Sequence, residues 1–342
     1  MDSVRRVASH VVVCDVEFRA RMLYWTILLV GLGLCLLPKS GGRVLSTLQR
    51  FGGVLLTVAV VHAATHVVMK STPGGPFDAE AKLDPQVKKR LEAAALRGAD
   101  TVSGSFAGLW AGDGTPSLAL RDFTAAEVLR EGARRSFSLG MRALVLAIVI
   151  GSVLGIAAGV RGGLFDRVVV GATSIVPAVP VFAWAAVLVA VFATWLKMLP
   201  PAALDGRPPH LPVVAAAAAP AAMIARLVRD ELRRNRDAMF ARAASARGAG
   251  PLRRLLVHVL PQSLVPAVAF IGPAAASLLT GTLAVEAVFG IPGLGAHLVQ
   301  GALARDLPVV CGATTLYAAA LGLFGLVADV LAERLDPRRS AA

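Results

Sequence analysis

Long apolar runs broken by polar connections set the pattern of this sequence. A bilayer core needs about 20 mostly apolar residues in helix. Six segments meet or approach that length: 51–69, 138–160, 168–196, 211–228, 263–289 and 309–331. A seventh, 22–38, is short and bracketed by Arg21 and Lys39. It has the length of a signal-peptide core, but Lys39-Ser40-Gly41-Gly42-Arg43 follows it in place of an Ala-x-Ala-like cleavage site. It reads as an extra N-terminal span or a surface-lying helix. The pattern predicts an all-α, polytopic transmembrane helical bundle of six core spans, with this extra helix ahead of them.

The connections predict an orientation. Arg226, Arg229, Arg233, Arg234, Arg236, Arg242, Arg247, Arg253 and Arg254 crowd the connection between the fourth and fifth spans, opposed there by Asp230, Glu231 and Asp237. Arg161 and Arg167 lie between the second and third spans, and Arg334, Arg338 and Arg339 in the tail. The alternate connections carry little: Lys197 and Arg207 in one, Arg305 in the other. The positive-inside rule places the arginine-rich connections and the C-terminus in the cytoplasm. Segment 70–135 is then external, with helix-like stretches at 85–97 and 124–135 and Gly-rich turns around 108–114. If 22–38 spans, the N-terminus lies outside. No internal repeat is evident, and the alanine run 215–219 reads as helix filler.

Composition agrees. Of 342 residues, 56% are hydrophobic and 17% charged, and mean hydropathy is +0.67. A soluble domain is nearer half apolar and a quarter charged, so disorder, a nucleic-acid-binding module and a single soluble globule are disfavoured. The net charge of +13 marks membrane flanks rather than a nucleic-acid footprint. Cys14, Cys35 and Cys311 are widely spaced. They form neither a disulfide framework nor a CxxC pattern and read as small buried hydrophobes.

Catalytic signatures are missing. The chain has no GxxxxGK[ST], HExxH or GxSxG, so no catalytic residue and no nucleotide site is assigned to it. His62 and His66 stand at i and i+4 on one helix face. No third ligand accompanies them, and hydrogen bonding between helices is the better reading than a metal site. Glu286, near the external end of the fifth span, is the best intramembrane acid. Its place near a helix end favours a structural role at the outer mouth over a proton relay. Asp329 and Glu333 read as interface charges.

The informative segment is Arg242-Ala243-Ala244-Ser245-Ala246-Arg247-Gly248-Ala249-Gly250-Pro251, continuing through Leu252 to Pro261. Local physics predicts a first helix over 239–247, stopped by Gly248 and Gly250 at positive φ. Pro251 suits the first turn of a second helix through Leu252, Leu255, Leu256 and Val259. The result would be a helix–turn–helix on the membrane face with small alanines exposed at the bend, where another protein could approach closely. A solvated basic loop that only enforces topology is the competing reading.

That segment resembles the EAA motif of ABC-importer permeases. Arg242, Ala243, Ala244 and Gly248 fall on its first half; His258, Val259, Leu260 and Pro261 fall on its second. Arg242 stands where the motif has Glu, and His258 where it has Ile, as is common in the peptide-importer branch. Pro73-Gly74-Gly75-Pro76-Phe77 resembles the stretch after that branch's first core span. Gly272-Pro273 through Leu279-Thr280-Gly281-Thr282 and Val285-Glu286 through Gly290-Ile291-Pro292-Gly293-Leu294-Gly295 resemble its fifth span and external turn. Gly301 to Asp306 and Leu335-Asp336-Pro337-Arg338 also fit. The likeness covers roughly 44–339 and points to the B-type permease subunit of an oligopeptide/dipeptide ABC importer. It divides the chain into an N-terminal extension (1–43), a first core span with external loop (44–137) and a permease core (138–339) with coupling helices at about 239–261.

The resemblance implies the type I ABC importer permease fold in a bacterial inner membrane. It implies a second permease subunit as heterodimer partner, two ATPase subunits and an extracytoplasmic solute-binding protein, with surrounding lipid and no nucleic acid. ATP and Mg would sit on the ATPases; this chain would bind no cofactor. Ala243, Ala244 and Gly248 would pack against the ATPase, Arg242 and Arg247 would flank the contact, and Leu255, Leu256 and Leu260 would hold the second helix to the membrane domain. Pro73, Gly74, Pro76, Glu286, Gly290, Pro292, Gly293 and Gly295 would form the external and gate region. Pro177 and Pro180 should interrupt the third span and Gly272-Pro273 the fifth. Ser277, Thr280 and Thr282 would line the solute path. Two other classes stay open. An ion-coupled secondary transporter would need paired mid-membrane acids. A membrane enzyme using 70–135 would need a nucleophile and base, and that segment holds no histidine.

Overall fold

The computed structural model describes residues 22, 24–35, 43–72, 86, 101–110, 117, 123–199 and 210–335. Among these there is no β-strand. The helices are α1 (Tyr24–Cys35), α2 (Arg43–Ser71), α3 (Val102–Trp110), α4 (Ala125–Arg161), α5 (Gly163–Ile175), α6 (Val181–Leu188), α7 (His210–Arg236), α8 (Met239–Ala246), α9 (Leu260–Phe289), α10 (Leu294–Leu303) and α11 (Leu307–Leu335). Among the described residues, five stretches are long and apolar enough to cross a membrane, or up to seven if each bent pair counts as one span. The six expected core spans all correspond to helix. The chain divides into two compact units, Met1–Arg135 with Pro292–Leu323, and Ser136–Ile291 with Phe324–Ala342.

In the first unit, α1 lies along α2. The Tyr24 hydroxyl donates to the Ala59 carbonyl at 3.1 Å, and Tyr24 packs with Val58, Ala59 and Phe106. Helix α1 is shorter than a bilayer crossing requires, and Met22, Trp25, Leu29, Val30 and Leu32 are exposed along it. Its last residue, Cys35, is exposed, against the expectation of a buried thiol. Cys311 is buried. Helix α4 begins with a capping box. Thr124 Oγ1 accepts from the Glu127 N–H, and Glu127 Oε2 accepts from the Thr124 N–H. The helix-like stretch 124–135 is thus helical, as the opening of α4, and runs on without a break into the second span. Of the Gly-rich turns expected around 108–114, residues 108–110 are the end of α3, and 111–114 lie outside the described residues. Stretch 85–97 lies outside the described residues apart from Gln86.

The second unit is built on a close crossing of α4 and α7. Gly151, Gly155 and Gly159 present bare backbone to α7. A Cβ at Gly155 would stand 2.5 Å from the Ala225 carbonyl oxygen, and one at Gly151 would stand 2.6 Å from that of Ala221. Without water to drive association, membrane helices hold through such backbone-to-backbone approach. The alanines of α7 complete the joint: Ala215, Ala216, Ala217, Ala221 and Ala225 are all buried. The run 215–219 is thus packing surface and not filler.

The third span breaks where its prolines predict. The segments Gly163–Ala178 and Val181–Trp195 meet at 110°. In an unbroken helix the Val176 carbonyl would accept from residue 180, but proline has no N–H. The Trp184 indole N–H supplies the bond instead, at 3.0 Å. The fifth span departs from expectation. α9 runs unbroken through Pro266 and Pro273, and Gly272 serves close contact with Ala328 of α11.

Two stability predictions follow. Gly155→Leu should lower the thermal stability of the purified chain in detergent, by about 1–3 kcal/mol or more as an overpacked joint. Gly171→Ala, with open space around it, should not. Trp184→Phe keeps the ring but strands the Val176 carbonyl and should cost about 1–3 kcal/mol by the same measurement.

Candidate functional site: the elbow between α7 and α9

The arm from α7 to α9 forms a compact elbow. Helix α8 starts after Ala238, whose carbonyl accepts from the N–H groups of Ala241 and Arg242. It ends in a Schellman motif. The Ala249 N–H donates to Ala244 O at 3.0 Å and the Gly248 N–H to Ser245 O at 3.0 Å, with Gly248 at φ +83°. That conformation favours glycine. Gly250, also expected at positive φ, has φ −62° and caps the next turn, with Pro251 in its first position.

The second arm is not a separate helix on the membrane face. A turn at Pro251–Arg253 and a π-helical stretch at Arg254–Val259 lead directly into α9. Such a stretch carries one extra residue and resets which way side chains point. Val259 is buried with Leu232 and Ala241, and Leu255 and Leu260 pack against them. Leu256, expected to hold the arm to the membrane domain, is 51% exposed. The arms are also tied by Arg254 Nη1 donating to Ser245 Oγ at 2.9 Å, and by Asn235 Nδ2 donating to Ser263 Oγ at 3.2 Å.

The motif residues split between two faces. Arg242, Ala243, Arg247, Gly248 and Pro261 are exposed, while His258 and Leu260 are half-buried. Ala244 is buried under the elbow, so it supports the bend and cannot offer surface to a partner. Met239, 87% exposed, Phe240 and Leu252 join the outward face. Sequence reasoning passed over them, though two large hydrophobes opening a short Arg-flanked helix are a readable signal.

Beside the elbow, Asp166 of α5 grips α7. Its Oδ1 accepts from Arg229 Nε at 2.7 Å, its Oδ2 from Arg229 Nη2 at 2.6 Å, and Arg233 Nη2 stands 2.9 Å from Oδ2. Arg229 also donates to Asp230 at 2.7 Å. Two of the arginines read only as topology signals are thus structural, and Asp166 is the acid that the sequence reading left out.

The other expected residues fall elsewhere. Glu286 is fully buried, and its Oε1 accepts from the Ser136 hydroxyl at 2.5 Å, a bond between α9 and α4. Gly290 ends α9 in the left-handed region at φ +64°, and Gly293 caps α10. Pro292 lies in that turn, and Gly295 is buried in α10. Pro73, Gly74 and Pro76 lie outside the described residues, as does the side chain of Thr280. Ser277 is exposed and bonded to Ala274 O, whereas Thr282 is fully buried. The structure does not bring these two to one surface. Both His62 ring nitrogens are engaged: Nδ1 with Thr315 Oγ1 of α11 at 2.8 Å, Nε2 with Ser105 Oγ of α3 at 2.9 Å. His62 therefore bonds between helices. Asp306, quoted only for its likeness, caps α11 at the Val309 N–H and accepts from the Ser117 hydroxyl at 2.7 Å.

Residues 151–341 match the family described as "Binding-protein-dependent transport system inner membrane component". The dipeptide transport system permease protein DppB of Bacillus subtilis is 33% identical over 298 residues, 85% of this chain and 96% of that one. The oligopeptide transport system permease protein OppB of Salmonella typhimurium is 32% identical over 299 residues, 85% of this chain and 97% of that one. The chain belongs to the family of binding-protein-dependent transport system inner membrane components. It is a multi-pass inner-membrane permease of an ABC importer.

Asp166→Asn should lower thermal stability. Breaking a fully buried pair costs about 3–5 kcal/mol; this one should cost less, because Arg233 is 44% exposed. About 1 M salt should recover part of the loss, by screening Arg229 from Arg233.

Proposed function

We propose that this permease passes peptides, dipeptides or longer, through a channel shared with a second, similar permease. A solute-binding protein outside the cell delivers the peptide, and two ATPase subunits on the cytoplasmic side drive the cycle. ATP and Mg reside on those subunits, and this chain needs no cofactor of its own. The relatives' peptide-transport names support the substrate class. Few ionisable residues lie along the spans, which suits low-affinity passage with selectivity set by the binding protein.

In this reading the arginine-rich elbow and the C-terminus face the cytoplasm, as the positive-inside rule favours. Ala243, Arg242, Arg247 and Gly248 touch the ATPase, and Met239, Phe240 and Leu252 widen the contact. The supporting observation is the continuity of the second arm with α9. A push on α8 reaches the span through Ala241, Val259, Leu260 and the Arg254–Ser245 bond without crossing a flexible loop. The break at Pro177–Pro180 gives the third span a place to bend.

Gly248→Asp tests the assignment. It forces a side chain into a left-handed conformation and puts an acid on a basic face. ATP-dependent peptide uptake should fall to background while the chain still inserts and co-purifies with the second permease. Uptake coupled to ATP hydrolysis at the unmodified rate would overturn it.

A further inference from the structure

We propose that the first unit holds a site for one anionic phospholipid, between the opening of α4 and α11. A cavity of about 370 Å³ lies there, lined by Ala126, Leu129, Arg130, Ala133, Gly312, Thr315 and Leu316. That volume is within the usual range of small-ligand pockets, about 300–1,000 Å³. Apart from Arg130 and Thr315 the lining is apolar. Thr315 has no proton to spare: its hydroxyl donates to Cys311 O at 2.6 Å and faces His62 Nδ1.

Arg130 is the group that selects the ligand. Among the described residues it has no hydrogen bond or ion pair. The acids nearest it on its own helix are occupied. Glu127 closes the capping box with Thr124, and Glu131 accepts from Arg134 and Arg135 at 2.9–3.0 Å. An unpaired guanidinium beside an apolar recess suits an anion carried on a hydrocarbon chain, since its planar fork matches phosphate oxygens.

Position on the chain points to lipid as the source. Gly312, Thr315 and Leu316 lie inside the apolar run of α11, whereas Arg130 precedes the apolar run of α4. One wall of the cavity belongs to the apolar run of α11 and the other carries the cation just ahead of the apolar run of α4, as at a membrane boundary. A guanidinium at the mouth of an apolar cavity between transmembrane helices can hold a phosphate headgroup while the acyl chains fill the recess.

The test uses the full-length chain, purified in mild detergent with its co-purifying subunits. Phosphatidylglycerol and phosphatidylethanolamine of matched chains are titrated in native mass spectrometry. One phosphatidylglycerol should bind in preference to phosphatidylethanolamine. Arg130→Ala should weaken it about tenfold, the scale of one charge-assisted phosphate contact. Arg130→Lys should keep most of the affinity, and Ala133→Phe, which fills the recess, should remove the site. Equal retention of the two lipids, or unchanged phosphatidylglycerol affinity in Arg130→Ala, overturns the proposal. So does Arg130-dependent binding of an apolar peptide in place of the lipid, or a membrane crosslink from Ala133→Cys to a co-purifying subunit.

Discussion

The close crossing of α4 on α7 is the constraint on which the second unit depends. In a bilayer, helices gain nothing from hiding apolar surface, so they need shape and polar bonds. Gly151, Gly155 and Gly159 provide shape at successive turns of α4. The opposing residues Ala221, Ala225, Val228 and Leu232 follow one side of α7. The last of these contacts, Gly159 on Leu232, matters beyond the joint itself. Leu232 is also the residue on which Ala241 and Val259 of the elbow rest. The elbow is thus seated on the end of a glycine zipper, and its position follows from how closely two helices can meet.

Backbone satisfaction is the second requirement. A carbonyl left without a donor in hydrocarbon costs several kcal/mol. The chain meets that cost locally at several of its described departures from regular helix. Trp184 replaces the N–H that Pro180 lacks, the Schellman bonds close α8, and Asp306 caps α11. The same economy governs its buried polar side chains. His62 with Thr315 and Ser105, and Glu286 with Ser136, each join two elements in place of solvating a path. Intramembrane polarity in this chain is largely spent on holding helices together.

Much of this was legible in the residues. Run length marked every core span, because the bilayer imposes its thickness on the sequence. The stop at Gly248, the start at Pro251 and the break at Pro177–Pro180 follow from backbone chemistry that needs no partner. What failed to show was any property created by a neighbour. Ala244 and Ala243 are identical in sequence, yet one is buried and the other exposed, because the roll of α8 is set by Leu232 and Val259. Gly272-Pro273 looked like a break, but Ala328 turns the glycine into a contact point and the helix continues. Arg229 and Arg233 looked like free charge until Asp166, more than sixty residues earlier, came alongside.

The π-helical stretch at Arg254–Val259 joins these themes. A span that began as plain α-helix at Pro251 would carry a fixed angular relation between its exposed arm and its buried face. The inserted residue changes that relation, so Leu252, Leu256 and Val257 point outward while Val259 turns into the cluster with Leu232 and Ala241. One helix can then present an exposed face at one end and a packed face further on, with no loop between them. A loop would absorb a push, whereas a continuous hydrogen-bonded rod passes it on. The residue types around the insertion, two arginines followed by branched aliphatics, suit both jobs. The guanidinium of Arg254 ties back to Ser245, and the aliphatics wedge against α7.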